Sequence, residues 1–374
     1  MRVIYIRTNA VDPDPRVEKE ISSIAQVEGI KITILAWNRG GKAGEILDQK
    51  FDQYDNVNII RFGIPSVWGG GVKKNLFPLI KFLATIQKWL IDNQANYDVI
   101  HACDLFTYLP SRKTIKRFSK DYIYDIYDYF PDTKKFPKPI DFILRKLEHK
   151  AIEGAKCTII CTEKREEQIE TKNYRELLVV HNSPSERQLR CDLVDYKLNR
   201  NRFKLCYVGN LTSERFIVET IDATKDIENI ELHIGGMGPL AERIEKIAKE
   251  NENVFFYGKL DYQNVISLEI QCDAMFAFYD PLINNHKYAA PNKFYEALAL
   301  GKPLMMFKNT GMDNVLTENG FGVAVECNKT SIKKGAKELV KLCNMSDKEK
   351  KFFVEQFSWE IMEKRLMSLY KGLN

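Results

Sequence analysis

Residues Lys287–Phe307 read KYAAPNKFYEALALGKPLMMF, and this stretch has the sequence signals of a helix followed by a strand. Pro291 suits the first position of a helix, where its missing N–H costs nothing, and Gly301 suits the residue just past the helix end. The apolar run after Lys302 is typical of a buried strand. The stretch therefore predicts a helix–strand unit of an α/β fold, with free N–H groups at the helix start that favour an anion.

Outward from this unit, short β-branched and aromatic runs alternate with helical patterns, which is typical of parallel βαβ units. The predicted strands of the first half are Val3–Arg7, Lys31–Trp37, Val57–Phe62, Asp98–Cys103, Tyr122–Tyr127, Cys157–Thr162 and Leu177–Asn182. Those of the second half are Phe203–Gly209, Ile230–Gly236, Val254–Leu260, Asp273–Tyr279, Lys302–Phe307 and Gly322–Cys327. Their near-continuous apolar character suits sheets that are buried on both faces.

Two sets of strands in 374 residues predict an α/β chain of two doubly wound, Rossmann-like domains. We expect a first domain at residues 1–183, a polar linker at 184–201 and a second domain at 202–355. One long helix is predicted from about Ser346, and its part at 356–374 is expected to cross back to the first domain. Ligands bind outside the carboxyl ends of parallel strands, so two such domains facing each other predict a central cleft.

Composition and charge argue against several classes of protein. The net charge of +5 is small and dispersed, which argues against a nucleic-acid partner. The 8 cysteines are scattered without zinc-site spacing, so a reduced compartment is the simplest interpretation. The chain begins with a predicted strand rather than a signal peptide, and no uncharged apolar run approaches the roughly 20 residues of a membrane span. We therefore expect a cytoplasmic protein, with peripheral binding at the inner face of the membrane left open.

The possibility of peripheral membrane binding rests on two amphipathic stretches, Asn75–Asp92 and Pro139–Ile152. Basic residues lie in or near both of them: Lys73, Lys74, Lys134, Lys135, Lys138, Arg145 and Lys146. A helix with an apolar face and a basic face can bind an anionic membrane surface or a lipid-linked ligand. Most amphipathic helices only cover a core, and this interpretation also stays open.

Glu296 lies further along the helix that Pro291 and Gly301 delimit. A carboxylate there can accept hydrogen bonds from two adjacent sugar hydroxyls, such as a ribose diol. The alternative is an exposed helical glutamate paired with Lys293.

The same stretch resembles the family 4 retaining glycosyltransferases, which have the GT-B fold. The hallmark of that family is a pair of glutamates separated by seven residues, followed by a small-residue helix and a Gly-x-Pro turn. Glu296 matches the second glutamate, while the first falls on Tyr288. The resemblance is closest to a bacterial and archaeal branch with Pro-x-Lys-x-x-x-Glu-like loops, although the spacing here is Pro291-Asn292-Lys293-Phe294-Tyr295-Glu296. It implies that this loop and Glu296 bind a nucleotide-sugar donor.

Three further segments match the family in the same order. Tyr207–Phe216 resembles the loop that places basic residues on the diphosphate. Arg215 matches one of these basic residues and the other falls on Asn210, after Gly209. The resemblance also implies donor contacts from a glycine loop at Gly235, Gly236 and Gly238, and from a nucleobase segment at Tyr257, Gly258, Lys259 and Leu260. Phe357–Glu360 resembles the aromatic motif that opens the last helix, where Trp359 is expected to be a packing anchor.

The first domain is expected to supply acceptor and catalytic groups. Asn9–Ile21 resembles the first loop and helix of many members, which would place Asn9 and Arg16 on the acceptor side, at the cleft mouth. Asp12-Pro13-Asp14 superficially spells a metal-binding Asp-x-Asp. Helix capping by Asp14 explains this motif better, and the resemblance implies no metal.

The catalytic histidine of the family has two candidate positions in this chain. His101 ends a predicted strand, and a satisfied strand-end histidine is an equally open interpretation. The second candidate is Tyr127, followed by Asp128, in a segment where many members have a histidine. A tyrosine hydroxyl accepts a proton poorly near neutral pH.

The resemblance implies transfer of a hexosyl group from a UDP or GDP sugar to a saccharide or lipid-linked acceptor. Retention of configuration, no metal, no further cofactor and a place in cell-surface polysaccharide or glycan synthesis are part of that expectation. Two alternatives stay open, a nucleotide-sugar epimerase of the same fold and a non-catalytic nucleotide-sugar-binding module.

Overall fold

The computed structural model describes residues 1–41, 51–67, 71–190, 193–342 and 346–373. These residues form two compact units, each built around its own parallel sheet. The first unit comprises Met1–Val180 together with Met362–Asn374, and the second comprises His181–Ile361. The two sheets confirm the predicted α/β class with two Rossmann-like domains.

The first unit has a seven-stranded sheet in the order β3-β2-β1-β4-β5-β6-β7. Its strands are β1 (Arg2–Arg7), β2 (Lys31–Asn38), β3 (Val57–Gly63), β4 (Val99–Cys103), β5 (Asp121–Ile126), β6 (Cys157–Ile160) and β7 (Leu177–Val179). Its helices are α1 (Pro15–Ile24), α2 (Gly71–Asp92), α3 (Leu105–Phe118), α4 (Lys138–Gly154) and α5 (Arg165–Gln168). The buried residues of this unit form one continuous core around rings such as the stacked pair Trp37 and Phe82.

The second unit has a six-stranded sheet in the order β10-β9-β8-β11-β12-β13. Its strands are β8 (Phe203–Asn210), β9 (Ile230–Met237), β10 (Val254–Phe256), β11 (Ala274–Ala277), β12 (Leu304–Phe307) and β13 (Gly322–Val325). Its helices are α6 (Glu186–Leu189), α7 (Ile217–Thr224), α8 (Ala241–Glu250), α9 (Tyr262–Gln271), α10 (Asn292–Leu300), α11 (Asp313–Glu318), α12 (Lys329–Leu339) and α13 (Ser346–Gln356). Helix α14 (Trp359–Leu373) begins in this unit, and its residues from Met362 onward belong to the first unit.

Each sheet has a switch point, where the chain reverses the direction in which it adds strands. In the first unit β1 lies between β2 and β4, and in the second unit β8 lies between β9 and β11. The carboxyl ends of two adjacent strands then lead to helices on opposite faces of the sheet, which leaves a crevice between them. The structure therefore has two places for a ligand, one after β1 and β4 and the other after β8 and β11.

All thirteen predicted strands are present, but several of them end earlier than predicted, and the predicted last helix was wrong. Strand β10 ends at Phe256, so the segment from Tyr257 to Leu260 lies outside the sheet. The predicted single helix from Ser346 is two helices, because the ring of Phe357 is buried between them against Phe294 and Tyr295. Residues 181–201 group with the second unit, and residues 191 and 192 of the predicted linker lie outside the described part. None of the described helices is long and apolar enough to cross a membrane.

Candidate functional site

Helix α10 brings its free N–H groups to the carboxyl edge of the second sheet. Pro291 has an extended backbone (φ −63°, ψ 132°) and is the N-cap, one residue before its predicted place at the first helical position. Gly301 ends the helix with the left-handed backbone expected of a helix-terminating glycine, at φ 66°. The exposed Asn292 opens the first turn, and its side-chain oxygen accepts a hydrogen bond from Asn182. The helix start can therefore receive an anion.

Glu296 is buried rather than on the helix surface, with an exposed fraction of 3%. One carboxylate oxygen accepts a hydrogen bond from Lys293 Nζ at 2.8 Å, and the other accepts one from the Tyr262 hydroxyl at 3.2 Å. The predicted pairing with Lys293 is confirmed, but the surface position of that alternative was wrong. Any hydroxyl ligand of Glu296 has to join this existing network.

A second buried acid, Glu269 on α9, completes the network. Its carboxyl oxygen lies 2.9 Å from Lys293 Nζ. Burial raises the pKa of Glu269 to about 8, with Lys293 opposing the shift and Glu296 adding to it. Burial alone would lower the pKa of Lys293, but the two carboxyl groups raise it, so the ammonium stays charged. Near neutral pH the cluster is one ammonium between a carboxylate and a largely protonated acid.

Arg215 lies after β8, at the switch point of the second sheet. Its guanidinium lies 3.6 Å from the ring centroid of Tyr279, which follows β11. The backbone N–H of Asp280 donates to the carbonyl of Glu214, and this bond joins the loops after β8 and β11. Arg215 Nη1 is buried and has no hydrogen-bond partner among the described residues. A buried, unpaired cationic donor is costly, and an anionic ligand would satisfy it.

The glycines of the predicted glycine loop have a structural explanation, and two of them, Gly235 and Gly236, lie within β9. Gly236 and Gly238 have positive φ angles of 135° and 153°. A Cβ atom on Gly236 would lie 1.8 Å from the carbonyl oxygen of Gly209, and one on Gly238 would lie 2.5 Å from that of Leu211. Gly236 therefore allows close backbone contact between the ends of β8 and β9, and Gly238 allows it between the residues that follow these strands. A ligand contact at Gly235, Gly236 or Gly238 stays a prediction.

The predicted nucleobase segment follows β10 at the same edge. The Tyr257 hydroxyl bonds His233 Nδ1 at 2.8 Å, and its ring packs edge-on against Tyr196. Gly258 has φ 64° and accepts a hydrogen bond from Gly236 N, so this segment is tied to the glycine loop. Lys259 is exposed and Leu260 is half-buried.

The structure also describes Asn210 and Tyr288, the two residues that the resemblance gives as departures from the expected pattern. Asn210 is exposed at the end of β8, and its carbonyl accepts a hydrogen bond from the Tyr207 hydroxyl. Tyr288, the residue onto which the expected first glutamate falls, is the half-buried last residue of a short 3-10 helix over Asn284–Tyr288.

Asp104 stands at the switch point of the first sheet with an unusual backbone. Its φ of 65° and ψ of 170° fall in a region that is essentially restricted to glycine. One carboxylate oxygen accepts hydrogen bonds from the backbone N–H groups of Tyr127 and Asp128, and the other contacts Arg7 at 3.3 Å. Burial raises the pKa of Asp104 to about 6, against the effect of Arg7. The carboxylate thus holds the exposed Asp128 and the start of the loop after β5.

Tyr127 lies between two guanidinium groups. Arg7 and Arg16 lie 3.9 Å and 3.7 Å from its ring centroid, and its hydroxyl lies 2.9 Å from that of Tyr5. Burial, followed by the charge of Glu20, raises the pKa of Tyr127 well above its usual value. The hydroxyl therefore stays protonated at neutral pH and can donate but not act as a base.

His101 has hydrogen-bond partners at both ring nitrogens. Nδ1 lies 2.6 Å from the Tyr370 hydroxyl, and Nε2 lies 3.3 Å from an Asp125 oxygen. The ring is fully buried and stacks on Tyr5. This geometry favours the satisfied strand-end histidine over a direct contact with substrate.

His101 and Asp125 also form a potential metal-ligand group with Cys103, in which the ligand atoms lie within 4.8 Å of one another. Asp125 is already paired with Arg16, and burial raises the pKa of the Cys103 thiol. A neutral thiol and an occupied imidazole are poor ligands, so these residues do not fit a metal ion.

Arg16 is structural rather than at a site entrance. It is 6% exposed, and its guanidinium pairs with Glu20 and Asp125 at 2.8 Å each. The Asn9 amide donates to Asp14 Oδ2, while Asp14 Oδ1 caps α1 by accepting from Val17 N, as the capping interpretation predicts. Asn9 is half-buried, and its acceptor role stays a prediction.

Sequence reasoning missed several residues of these sites, among them Asp104, Tyr262, Tyr279 and Glu269. Tyr279 immediately follows the apolar run of β11, so its place at the strand end was available as a signal. Glu269 is a single acid inside the otherwise apolar or neutral helix YQNVISLEIQ, and an acid on a buried helix face requires a partner. Its partner, Lys293, is distant in the chain and could not be identified from spacing.

Residues 193–369 match the family model described as glycosyl transferases group 1. No curated protein matches the chain in sequence. Among solved structures, sucrose-phosphate synthase from Thermosynechococcus elongatus is similar with a TM-score of 0.80 and 14% identity, covering 100% of this chain and 99% of that one. The E. coli structure described as trehalose-6-phosphate bound with UDP-2-fluoro glucose has a TM-score of 0.72 and 11% identity, covering 99% of each chain.

A Listeria monocytogenes structure described as a UDP-N-acetylglucosamine 2-epimerase is also similar, with a TM-score of 0.64 and 14% identity over 99% of this chain and 96% of that one. At these identities the likeness shows the fold and not the reaction. Residues 193–369 therefore resemble the glycosyl transferases group 1 in sequence, and the two parallel-sheet units of the chain have the GT-B fold.

Proposed function

We propose that this protein transfers a hexosyl group from a UDP or GDP sugar to a saccharide or lipid-linked acceptor, with retention of configuration and without a metal. We further assign it to the family 4 branch in which Tyr288 replaces the first glutamate. The observation that carries the proposal is Arg215, whose buried Nη1 has no partner among the described residues. A diphosphate beside Tyr279 would supply the missing anionic acceptor.

In the proposed reaction the acceptor hydroxyl attacks the anomeric carbon on the face that the diphosphate leaves. The bond from that carbon to the diphosphate oxygen breaks, and the departing phosphate takes the acceptor's proton. Arg215 and the first N–H groups of α10 stabilise the charge that develops on the diphosphate. Glu296 accepts hydrogen bonds from the ribose diol of the donor.

The acceptor side of the proposal rests on the first unit. The amino-terminal halves of α2 and α4 carry exposed apolar side chains, of which Phe77 (76%) and Phe142 (67%) are the most exposed. The lysines Lys74, Lys81, Lys138 and Lys146 lie on the same helices. An apolar surface with basic residues suits an anionic membrane or a lipid-linked acceptor. We therefore propose a cytoplasmic location at the inner face of a membrane and a role in cell-surface glycan synthesis.

A donor panel tests the proposal. Thermal shifts with UDP-, GDP- and ADP-glucose should identify one nucleotide that stabilises the protein by mass action. Arg215→Gln should lower the affinity for that donor by about ten- to a hundredfold, because a charge-assisted hydrogen bond is worth roughly 1.5–3 kcal/mol. Arg200→Gln is the matched control, since Arg200 is exposed and precedes β8 at the opposite end of the strand. The absence of a shift with all three donors would overturn the donor site.

Product analysis separates transfer from epimerisation. Incubation with the donor alone should release only nucleoside diphosphate and free sugar through slow hydrolysis. A new nucleotide sugar formed without an acceptor would identify an epimerase. Binding without any turnover, over a panel of acceptors, would identify a nucleotide-sugar-binding module.

A further inference from the structure

His286 is a buried histidine beside Arg215 that the proposed reaction does not use. It lies in the short 3-10 helix over Asn284–Tyr288 and is 7% exposed. Its Nδ1 lies 3.0 Å from the carbonyl oxygen of Asp280. A carbonyl only accepts hydrogen bonds, so Nδ1 carries the hydrogen and Nε2 has the lone pair of a neutral ring. No hydrogen bond to Nε2 is found within the described part of the chain.

One aromatic ring connects His286 to Arg215. The guanidinium of Arg215 lies 3.6 Å from the ring centroid of Tyr279, and the His286 ring packs edge-on against the same ring at 5.0 Å between centroids. Tyr279 and Asp280 both follow β11, and Asp280 N is bonded to the carbonyl of Glu214. Arg215 and His286 are therefore held as one group at the switch point, each with an unused polar atom.

The charged groups around His286 favour a neutral ring in the donor-free protein. Burial lowers the pKa of His286, and the positive charge of Arg215 lowers it further. The carbonyl and carboxylate of Asp280 and the carboxylate of Glu214 oppose this shift without cancelling it. Lys287, which is exposed, adds a further positive charge next in the chain. Of the two side chains Arg215 and His286, only Arg215 is positively charged at neutral pH.

A nucleoside diphosphate sugar brings two negative charges to this place, whereas the group offers one positive charge. We propose that His286 is the second cation of the donor site, and that it takes up one proton when the donor binds. The proton comes from the solvent and adds to Nε2, and the resulting N–H donates to a phosphate oxygen. No covalent bond to the ligand forms or breaks in this step. The inference rests on the proposed donor site.

Proton uptake makes donor binding depend on pH. The bound diphosphate neutralises Arg215 and attracts the imidazolium, so the pKa of His286 is higher in the complex than in the free protein. Linkage then requires donor affinity to rise as the pH falls from the pKa of His286 in the complex to its lower pKa in the free protein. The same imidazolium would also stabilise the additional negative charge on the diphosphate after the sugar has left.

Calorimetric titration with UDP-glucose tests the proposal. UDP-glucose is a suitable probe because its diphosphate is a diester without a phosphate group that titrates near neutral pH. Titrations near pH 6.5, the usual pKa of histidine, in buffers with different ionisation enthalpies give the number of protons exchanged. We expect uptake of about half a proton or more per donor in the wild type. His286→Asn should bind without uptake, while His149→Asn, in α4 of the first unit, should keep it.

The histidine NMR spectrum gives a second measurement, made first without a donor and then with one, in which the His286→Asn variant identifies the His286 signal. The protein has 5 histidines, so the ring signals can be followed individually against pH. Arg215→Gln should raise the titration midpoint of the His286 signal in the donor-free protein, because a neighbouring positive charge is lost. UDP-glucose should raise the midpoint in the wild type.

The outcomes separate this inference from the donor site itself. If UDP-glucose binds with no proton exchange and leaves the His286 midpoint unchanged, the inference is wrong and the donor site stands. If GDP- or ADP-glucose binds instead, the same titration is done with that donor. If none of the three binds, the donor site and the role of His286 are both overturned.

Discussion

Replacing Glu296 with glutamine removes one of the two carboxyl groups that contact Lys293 in the buried cluster. Lys293 Nζ lies 2.8 Å from Glu296 and 2.9 Å from Glu269. Because burial raises the pKa of Glu269 to about 8, Glu296 supplies most of the negative charge opposite Lys293 at pH 7. The charge of Glu296 also contributes to the raised pKa of Glu269. In Glu296→Gln that contribution is lost, so the pKa of Glu269 should fall and Glu269 should become the carboxylate partner of Lys293.

The sign of the pH dependence follows from linkage. Folding raises the pKa of Glu269 from a reference value of 4.5 to about 8, so the folded protein binds this proton more tightly than the unfolded chain. The stabilisation is fully present below the unfolded pKa and is lost as the pH rises through the folded pKa. In Glu296→Gln the pKa of Glu269 is lower, so the loss of stability with rising pH is complete at a lower pH. The wild type therefore loses more stability than the variant as the pH rises.

The magnitude combines two effects. Loss of the charged hydrogen bond from Lys293 costs about 1–3 kcal/mol. A fall of one unit in the pKa of Glu269 changes the pH-dependent part of the free energy of unfolding by about 1 kcal/mol. We therefore expect Glu296→Gln to be about 1–3 kcal/mol less stable than the wild type near pH 6, and this difference to shrink by about 1 kcal/mol near pH 8.5.

Urea unfolding of both proteins at several pH values between about 6 and 8.5 measures this difference. Glu269→Gln is the control, because it removes the titrating group and should flatten the corresponding part of the wild-type pH profile. A difference in unfolding free energy that stays constant, or that widens as the pH rises, would refute the assignment of the raised pKa to Glu269.

The remaining predictions concern function and backbone strain. Glu296→Gln should also lower the affinity for the preferred nucleoside diphosphate by about ten- to a hundredfold in calorimetric titration; equal affinities would leave Glu296 with a structural role only. Transfer or donor hydrolysis should persist in excess EDTA, and complete loss that manganese or magnesium restores would contradict the metal-free reaction. Cosedimentation with anionic vesicles should fall with added salt and with serine at Phe77 and Phe142, and no binding at low salt would exclude the membrane surface. Asp104→Gly should be more stable than Asp104→Ala by about 1–2 kcal/mol in urea unfolding, since φ 65° with ψ 170° suits glycine; the reverse order would show that this backbone is not strained.

The strand and helix pattern was predictable because it depends on local signals. Near-continuous apolar runs identified all thirteen strands, and Gly301 marked the end of α10 with the positive φ that favours glycine. The errors occurred where tertiary packing overrides the local pattern. Phe357 interrupts an otherwise helical stretch because its ring is buried against Phe294 and Tyr295, and no local signal reveals such distant partners.

The charge state and accessibility of the site residues depend on groups that are far apart in the chain. Sequence alone indicated two α/β domains and a helix start suited to an anion, and a family resemblance implied Arg215 as a diphosphate ligand. Only the tertiary structure pairs Glu296 and Lys293 with Glu269, buries Arg16 and His101 in networks, and sets His286 beside Arg215 through Tyr279. The physical reason is that secondary structure follows from the spacing of apolar residues and turn formers along the chain. Burial, pKa and hydrogen-bond satisfaction follow from neighbours that the folded sheet brings together across tens to hundreds of residues.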